Sequence, residues 1–172
     1  MPKKVLLIIA FEGFQPVECF ETKALLEKDG VEVDLASNKV GEAIAVHTKE
    51  KVNIQLAVKD INVDKYDGVF LIGGPGALEH LDNKDVFRVM QEAKEKGKIW
   101  GAICITPRIL AKAGLLMGKK VAGWNGDGNL KDILHQVGAE YSNTKSLVDG
   151  KLVTASGPEA TPEFAQSILE VI

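Results

Sequence analysis

The sequence has few cysteines, no long apolar run and no block of charge of one sign. Its 172 residues include only Cys19 and Cys104 as cysteines, too few for a disulfide framework or a structural zinc site. No apolar stretch reaches the roughly 20 residues that a membrane-spanning helix needs. Lysine plus arginine number 21 and aspartate plus glutamate 24, for a formal net charge of −3. Nucleic acids and anionic membranes are therefore not expected partners.

The same composition excludes disordered and fibrous proteins. Apolar residues make up 45% of the chain, with 17 glycines and 6 prolines, which is the balance of a globular protein. The length suits one compact domain covering residues 1–172, and we find no repeat or linker. The apolar run 5–10 is short and lacks a small-residue cleavage site, so it indicates a buried strand and a cytoplasmic protein.

Apolar runs alternate with amphipathic stretches along the whole chain. Residues 5–10, 31–36, 69–72 and 99–104 are almost continuously apolar, which predicts strands covered on both faces by helices. Helical periodicity between and after them predicts an α/β fold, a three-layer sandwich with a mostly parallel central sheet. The irregular segment 43–58 predicts a small antiparallel excursion, and an Asp-Gly pair at residues 149–150 predicts a hairpin.

Cys104 follows a predicted buried strand and directly precedes a helix that Pro107 opens. Small residues, Ala102 and Thr106, lie two positions either side, as the sharp turn of a nucleophile elbow requires. A thiol at a helix N-terminus has a lowered pKa because the helix dipole favours the thiolate. The alternative is a small buried apolar residue without a chemical role.

A glycine-rich loop follows the predicted strand at 69–72. It lacks both the dinucleotide fingerprint and the phosphate-binding lysine, so we expect no nucleotide, no other cofactor and no metal. If the loop lies beside the elbow, the N–H groups of Gly74 and Ile105 form an oxyanion hole, whereas Pro75 has no N–H to offer. A simple tight turn is the equal alternative.

Glu18 lies in the first turn of a helix that Pro16 opens. Val17, Phe20 and Ala24 form the expected inward stripe, and Glu18 stands at its margin, where it can point into a crevice. The alternative role for Glu18 is a favourable interaction with the helix dipole. Cys19 is expected to be half-buried.

The chain resembles the ThiJ/PfpI superfamily, also called the DJ-one or class I glutamine-amidotransferase-like group. Four segments carry the resemblance in order and spacing: residues 16–18, 73–74, 101–107 and 154–165. The resemblance implies a flavodoxin-like sandwich and a homodimer or larger assembly. It also implies that Cys104 is the reactive cysteine, that Glu18 is hydrogen-bonded to it, and that Gly74 and Ile105 supply backbone donors.

The chain departs from the superfamily in its histidines. Peptidase-like members carry histidine directly after the cysteine, where this chain has Ile105, and other members place one where it has Trp124. His80 is the only histidine expected near the site, as an accessory base. Glu79 resembles an acidic residue that some members contribute across a subunit interface, and Trp124 is expected either as a lid or in the core.

These residues support three hypotheses. A protonated Glu18 can donate a hydrogen bond to a Cys104 thiolate, whereas an ionised Glu18 raises the thiol pKa. The first hypothesis is a cysteine-dependent hydrolase or lyase acting on small reactive carbonyls or their adducts, like the deglycases and glyoxalases of the superfamily. The second is a stress-response redox sensor or chaperone-like protein in which an oxidant modifies Cys104. The third, an intracellular peptidase, is weakened by the two missing histidines.

Overall fold

A computed structural model describes residues 1–172, in twelve strands and six helices. The strands are β1 (Lys4–Ile9), β2 (Glu12–Phe14), β3 (Glu32–Ser37), β4 (Gly41–Ala45), β5 (Lys51–Ile54), β6 (Leu56–Ala57), β7 (Gly68–Leu71), β8 (Ile99–Ile103), β9 (Lys120–Val121), β10 (Glu140–Tyr141), β11 (Ser146–Asp149) and β12 (Leu152–Ala155). The helices are α1 (Thr22–Lys28), α2 (Ala77–His80), α3 (Lys84–Glu95), α4 (Pro107–Lys112), α5 (Leu130–Gln136) and α6 (Thr161–Val171).

Seven strands form the central sheet, in the order β11-β12-β8-β7-β1-β3-β6. Neighbours run parallel except β11 and β12, which are antiparallel. The four apolar runs coincide with β1, β3, β7 and β8, and the last two are buried along their whole length. The predicted mostly parallel α/β sheet is confirmed.

Helices cover the sheet on both faces. On one face α1 packs against α6, which also contacts β8, β11 and β12. On the other face α3 contacts β7 and β8, while α4 packs on β8 and α5 on α4. The buried apolar side chains form one cluster of 46 residues between these layers. Burial of this apolar surface is the main force that holds the layers together.

A second, three-stranded sheet explains the irregular segment. Strands β4 and β5 pair antiparallel, as predicted for residues 43–58, and β2 adds in parallel to β4. The turn between β4 and β5 contains His47 and Lys49, whose φ angles are 63° and 60°. This sheet brings the segment after β1 against the glycine loop, where the N–H of Gly76 donates to the carbonyl of Gly13 at 3.1 Å.

The predicted hairpin at the end of the chain is also present, with a shifted turn. Asp149 pairs with Leu152, so the two turn residues are Gly150 and Lys151 rather than Asp149 and Gly150. Gly150 has φ 62°, and glycine at the first turn position is typical of a tight hairpin. No helix in the structure is both long and apolar enough to cross a bilayer.

Candidate active site around Cys104

Cys104 lies on a sharp turn between β8 and α4, with a left-handed φ of 66°. Its N–H donates to the carbonyl of Ala155 at 3.0 Å, and its own carbonyl accepts the N–H of Trp124 at 2.7 Å. The hydroxyl of Thr106 bonds the carbonyls of Ile103 and Leu71 at 2.8 and 3.1 Å. A left-handed non-glycine residue costs roughly 1–2 kcal/mol, and these bonds hold it in place. The geometry is that of the predicted elbow.

Glu18 is fully buried next to this turn. Its Oε1 accepts the N–H of Gly73 at 2.8 Å, and no donor meets strict hydrogen-bond geometry at Oε2. A Cβ added to Gly73 would lie 2.6 Å from the Cβ of Cys104 and 2.7 Å from Glu18 Oε1. Such separations are too short for any side chain, so the site requires glycine at position 73.

The predicted inward stripe of this helix is wrong. Val17 is 43% exposed and Ala24 is also exposed, whereas Glu18 and Cys19 are both completely buried. The reason is that residues Val17–Glu21 form a π-helical turn before α1. A π turn is wider than an α turn and shifts the buried face, so the period of 3.6 residues misplaced the stripe.

The Glu18 carboxyl and the Cys104 thiol influence each other's protonation. Burial raises the pKa of Glu18 from 4.5 to about 7, against the opposing effects of the Gly73 N–H and the Cys104 thiol. Burial, and secondarily the charge of Glu18, raises the pKa of Cys104, so the lowered pKa expected for a thiol at a helix N-terminus is wrong. The two groups share a buried environment, so their protons are lost as a pair rather than independently.

Two backbone N–H groups favour a negative charge on the sulfur. The N–H groups of Ile105 and Gly74 both lower the pKa of Cys104, and neither donates to a backbone oxygen. Gly74 has φ 119°, and a Cβ there would lie 2.4 Å from the carbonyl oxygen of Gly13. The structure therefore brings together Cys104, Glu18, Gly74 and Ile105.

A cleft of about 680 Å³ lies on the far side of Gly157 from Cys104, which is not itself among the residues that line it. A Cβ added to Gly157 would lie 4.0 Å from Cys104 Sγ, so this part of the wall passes directly beside the thiol. The cleft is lined by ten residues: Gly123, Trp124, Asn125, Gly126, Tyr141, Asn143, Ser156, Gly157, Pro158 and Glu159. Trp124 is 39% exposed, so it lies on the cleft wall and not in the core.

An ion pair that the sequence did not indicate holds the loop carrying Trp124. Arg108 donates to both carboxylate oxygens of Asp127 at 2.7 and 2.9 Å and to the carbonyl of Trp124 at 3.3 Å. The Arg108 guanidinium carbon lies 5.5 Å from the centre of a Trp124 ring. Hydrogen bonds from Arg108 lower the pKa of Asp127. This arrangement fixes one wall of the cleft.

The other candidate residues lie outside this site. His80 and Glu79 lie on α2, and neither lines the cleft nor affects the pKa of Cys104. His47 and His135 are exposed. Cys19 is completely buried rather than half-buried, and burial raises its pKa to about 12. No group of three or more metal-ligating side chains is present.

The sequence model of the DJ-1/PfpI family matches residues 3–171. This chain belongs to the DJ-1/PfpI family. An uncharacterized protein of Methanocaldococcus jannaschii is 33% identical over 170 residues, covering 98% of this chain and 82% of that protein. Deglycase PYRAB04690 of Pyrococcus abyssi is 30% identical over 152 residues, covering 88% and 89% of the two chains. The crystal structure of Drosophila melanogaster DJ-1beta superposes with a TM-score of 0.88 at 26% identity, covering 99% and 91% of the two chains.

The roles of Gly73, Gly157, Arg108 and Asp127 were not predicted from the sequence. The doubled glycine at 73–74 was a usable signal for close backbone approach, since only glycine allows it. Gly157 stood inside a matched segment without an assigned role. The pairing of Arg108 with Asp127 spans 19 residues, and nothing in a single sequence indicates such a pair.

Proposed function

We propose that this protein is a cysteine-dependent enzyme acting on small reactive carbonyl compounds or their adducts, with Cys104 as nucleophile and Glu18 as its proton-handling partner. The observation that carries the proposal is the arrangement around the sulfur. A half-buried thiol on an elbow faces a buried carboxyl and two N–H groups without backbone acceptors. The name of the Pyrococcus abyssi relative, a deglycase, supports the same class of substrate.

The reactive form of the pair holds one proton on Glu18 and the negative charge on sulfur. The thiolate attacks the aldehyde carbon of a 1,2-dicarbonyl, a C–S bond forms, and the carbonyl oxygen takes the proton of Glu18. The Glu18 carboxylate then removes the hydrogen on that carbon as a proton and delivers it to the neighbouring carbon, while the hydroxyl proton on the first oxygen passes to the oxygen of the neighbouring carbon. The product at Cys104 is a thioester, which water hydrolyses to a 2-hydroxy acid and the free thiol. An adduct first loses its amine or thiol at the same carbon.

The backbone donors have a specific part in this sequence. The N–H groups of Gly74 and Ile105 stabilise the thiolate before attack, and they are near enough to the reacting centre to bond the alkoxide that forms on it. The pair of Cys104 and Glu18 lacks an imidazole, which suits an intrinsically electrophilic aldehyde better than an unactivated peptide bond.

The test is turnover of methylglyoxal in an amine-free buffer, followed as loss of aldehyde and gain of lactate. We expect many equivalents to be consumed by the wild-type protein and none above background by Cys104→Ala. Cys19→Ala is the matched control and keeps the activity. Consumption of one equivalent or less, or equal consumption by Cys104→Ala, contradicts the proposal.

A second candidate function uses the same N–H groups. These N–H groups favour a negative charge on the Cys104 sulfur, so they can also donate hydrogen bonds to the negative oxygens of an oxidised cysteine, as in a redox sensor. Stoichiometric uptake of peroxide at Cys104, without turnover of any aldehyde, is the result that favours the sensor over the enzyme.

A further inference from the structure

The cleft beside Cys104 is nearly free of charge except at one position. Its walls present amides, hydroxyls, glycine backbone and two aromatic rings. Glu159 is the single charged residue among its lining, it is exposed, and no salt bridge or side-chain hydrogen bond engages it. The only formal charge on the cleft lining is therefore the negative charge of Glu159.

Arg108, the cation on α4 that binds the Trp124 loop, does not offset this charge. Arg108 has a side chain only 11% exposed, and both carboxylate oxygens of Asp127 bind it. This pair is internally neutral and faces the loop rather than the cleft. A ligand with its own negative group thus meets repulsion from Glu159 and no compensating guanidinium or ammonium group.

Glu159 is also close to the reacting atom along the chain. It lies two residues after Gly157, whose added Cβ would be 4.0 Å from Cys104 Sγ. Gly157 and Glu159 line the same cleft, so a molecule that reacts at the sulfur and extends along Gly157 into the cleft approaches the carboxylate. In a partly hydrated site, one nearby unit charge changes an encounter or binding constant by a few-fold.

We propose that Glu159 determines specificity by selecting carbonyl adducts whose non-reacting part carries a positive charge, such as an amine or guanidine, and by disfavouring adducts with a carboxylate. The choice of carbonyl adducts as substrates rests on the proposed function, whereas the selection by charge does not. The selection acts on any reagent that reaches Cys104, whether or not the protein turns it over.

The first experiment measures modification of Cys104 by two methanethiosulfonates, one carrying a trimethylammonium group and one a sulfonate, at low ionic strength. The ratio of the cationic to the anionic rate constant is compared between the wild-type protein and Glu159→Gln. We expect Glu159→Gln to lower this ratio by about fivefold, since one exposed charge pair is worth at most about that factor for each reagent. The difference shrinks as salt screens the carboxylate.

The matched control is Glu95→Gln, which removes the same charge from an exposed, unpaired position. Glu95 ends α3, before β8 begins, and the site lies beyond the opposite end of that strand. We expect the ratio in Glu95→Gln to equal the wild-type value. An unchanged ratio in Glu159→Gln, or an equal fall in Glu95→Gln, overturns the inference.

The second experiment uses hemithioacetals of methylglyoxal with cysteamine, mercaptoethanol and mercaptoacetate, which differ in charge at the far end. We expect kcat/KM to fall in that order for the wild-type protein and to become nearly equal in Glu159→Gln. Equal values in the wild-type protein overturn the substrate selection. Absence of turnover with all three contradicts the proposed function instead, and the thiol-reagent ratio then still decides whether Glu159 selects by charge.

Discussion

The two cysteines occupy contrasting regions around the same carboxyl. Cys19 is the next residue after Glu18, in a π-helical turn, and is completely buried with its N–H bonded to the carbonyl of Gln15 at 3.1 Å. Cys104 approaches Glu18 from another element, has a left-handed φ, and is half-buried beside a cleft. The pKa of both thiols is raised by burial and by the charge of Glu18. The difference lies in access to solvent and in the two N–H groups near the Cys104 sulfur, so we expect the two thiols to differ in reactivity although both lie near Glu18.

Alkylation of both thiols in the folded protein tests the contrast between Cys19 and Cys104 most directly. We expect iodoacetamide to modify Cys104 at least about 100-fold faster than Cys19, because Cys19 reacts only through local opening of the structure. Mass spectrometry of the labelled peptides gives the two rates. Cys104→Ala should leave only the slow reaction, and comparable rates at both positions would contradict the distinction between the two sites.

The Glu18 carboxyl should lower the stability of the folded protein as pH rises, which is the opposite of the usual effect of a carboxyl group. The pKa of Glu18 is raised from 4.5 to about 7 in the folded protein, so between these pH values the folded state binds more protons than the unfolded one. The contribution of Glu18 to stability is therefore fully present below pH 4.5 and is lost as pH rises through about 7.

The substitution Glu18→Gln removes this pH-dependent loss while keeping an acceptor for Gly73. At 1.36 kcal/mol per pKa unit, we expect Glu18→Gln to gain up to about 3 kcal/mol relative to the wild-type protein between pH 4.5 and pH 8. Urea unfolding at the two pH values measures the gain. A stability difference that is the same at both values would mean that Glu18 does not titrate in this range.

Gly73 lies between Cys104 and Glu18, and its substitution tests how closely these two groups are packed. Gly73→Ala places a methyl group against both Cys104 and Glu18, so we expect a loss of about 1–3 kcal/mol from overpacking together with slower alkylation of Cys104. Gly114→Ala is the matched control, since its φ is 78° and no atom lies within 4 Å of the added Cβ. It should cost about 1–2 kcal/mol from backbone strain and leave the alkylation rate unchanged.

The smallest expected effect concerns the loop that forms the cleft wall beside Cys104. Arg108→Ala removes the bonds to Asp127 and Trp124, and we expect KM for the carbonyl substrate to rise by about tenfold or less as the wall loosens, with a smaller change in kcat. The Trp124 emission should shift as well. Asp127→Asn, which keeps the shape and removes the charge, should give an intermediate value, and a change confined to kcat would argue against a positioning role.

The central strands were predictable from the sequence because their residues are buried on both faces. The runs that became β1, β7 and β8 are almost continuously apolar, so no alternation of polar residues obscured them. The two-residue strand β6 and the strand β2 were not predictable. Each is defined by pairing with distant strands, β3 and β4, and carries no pattern of its own.

The site was partly predictable because some of its features depend only on residues that are adjacent in the sequence. The elbow at Cys104 has a local signature in its small neighbours and in Pro107, so its geometry followed from adjacent residues. The burial of Glu18 did not, because a π turn replaces the α-helical period at Val17–Glu21. The cleft wall required Arg108 and Asp127 to meet across the fold, which only tertiary structure establishes.

The measurement that tests the central claim most directly is the pH dependence of Cys104 alkylation in the wild-type protein and in Glu18→Gln. In the wild-type protein the doubly protonated pair loses its first proton near the pKa of about 7 of Glu18, and the proton that remains can sit on Glu18 while sulfur carries the charge. The rate should therefore rise to a shoulder above pH 7, and Glu18→Gln should lack this step and react only as an isolated thiol. Identical profiles for the two proteins would show that Glu18 does not control the reactivity of Cys104.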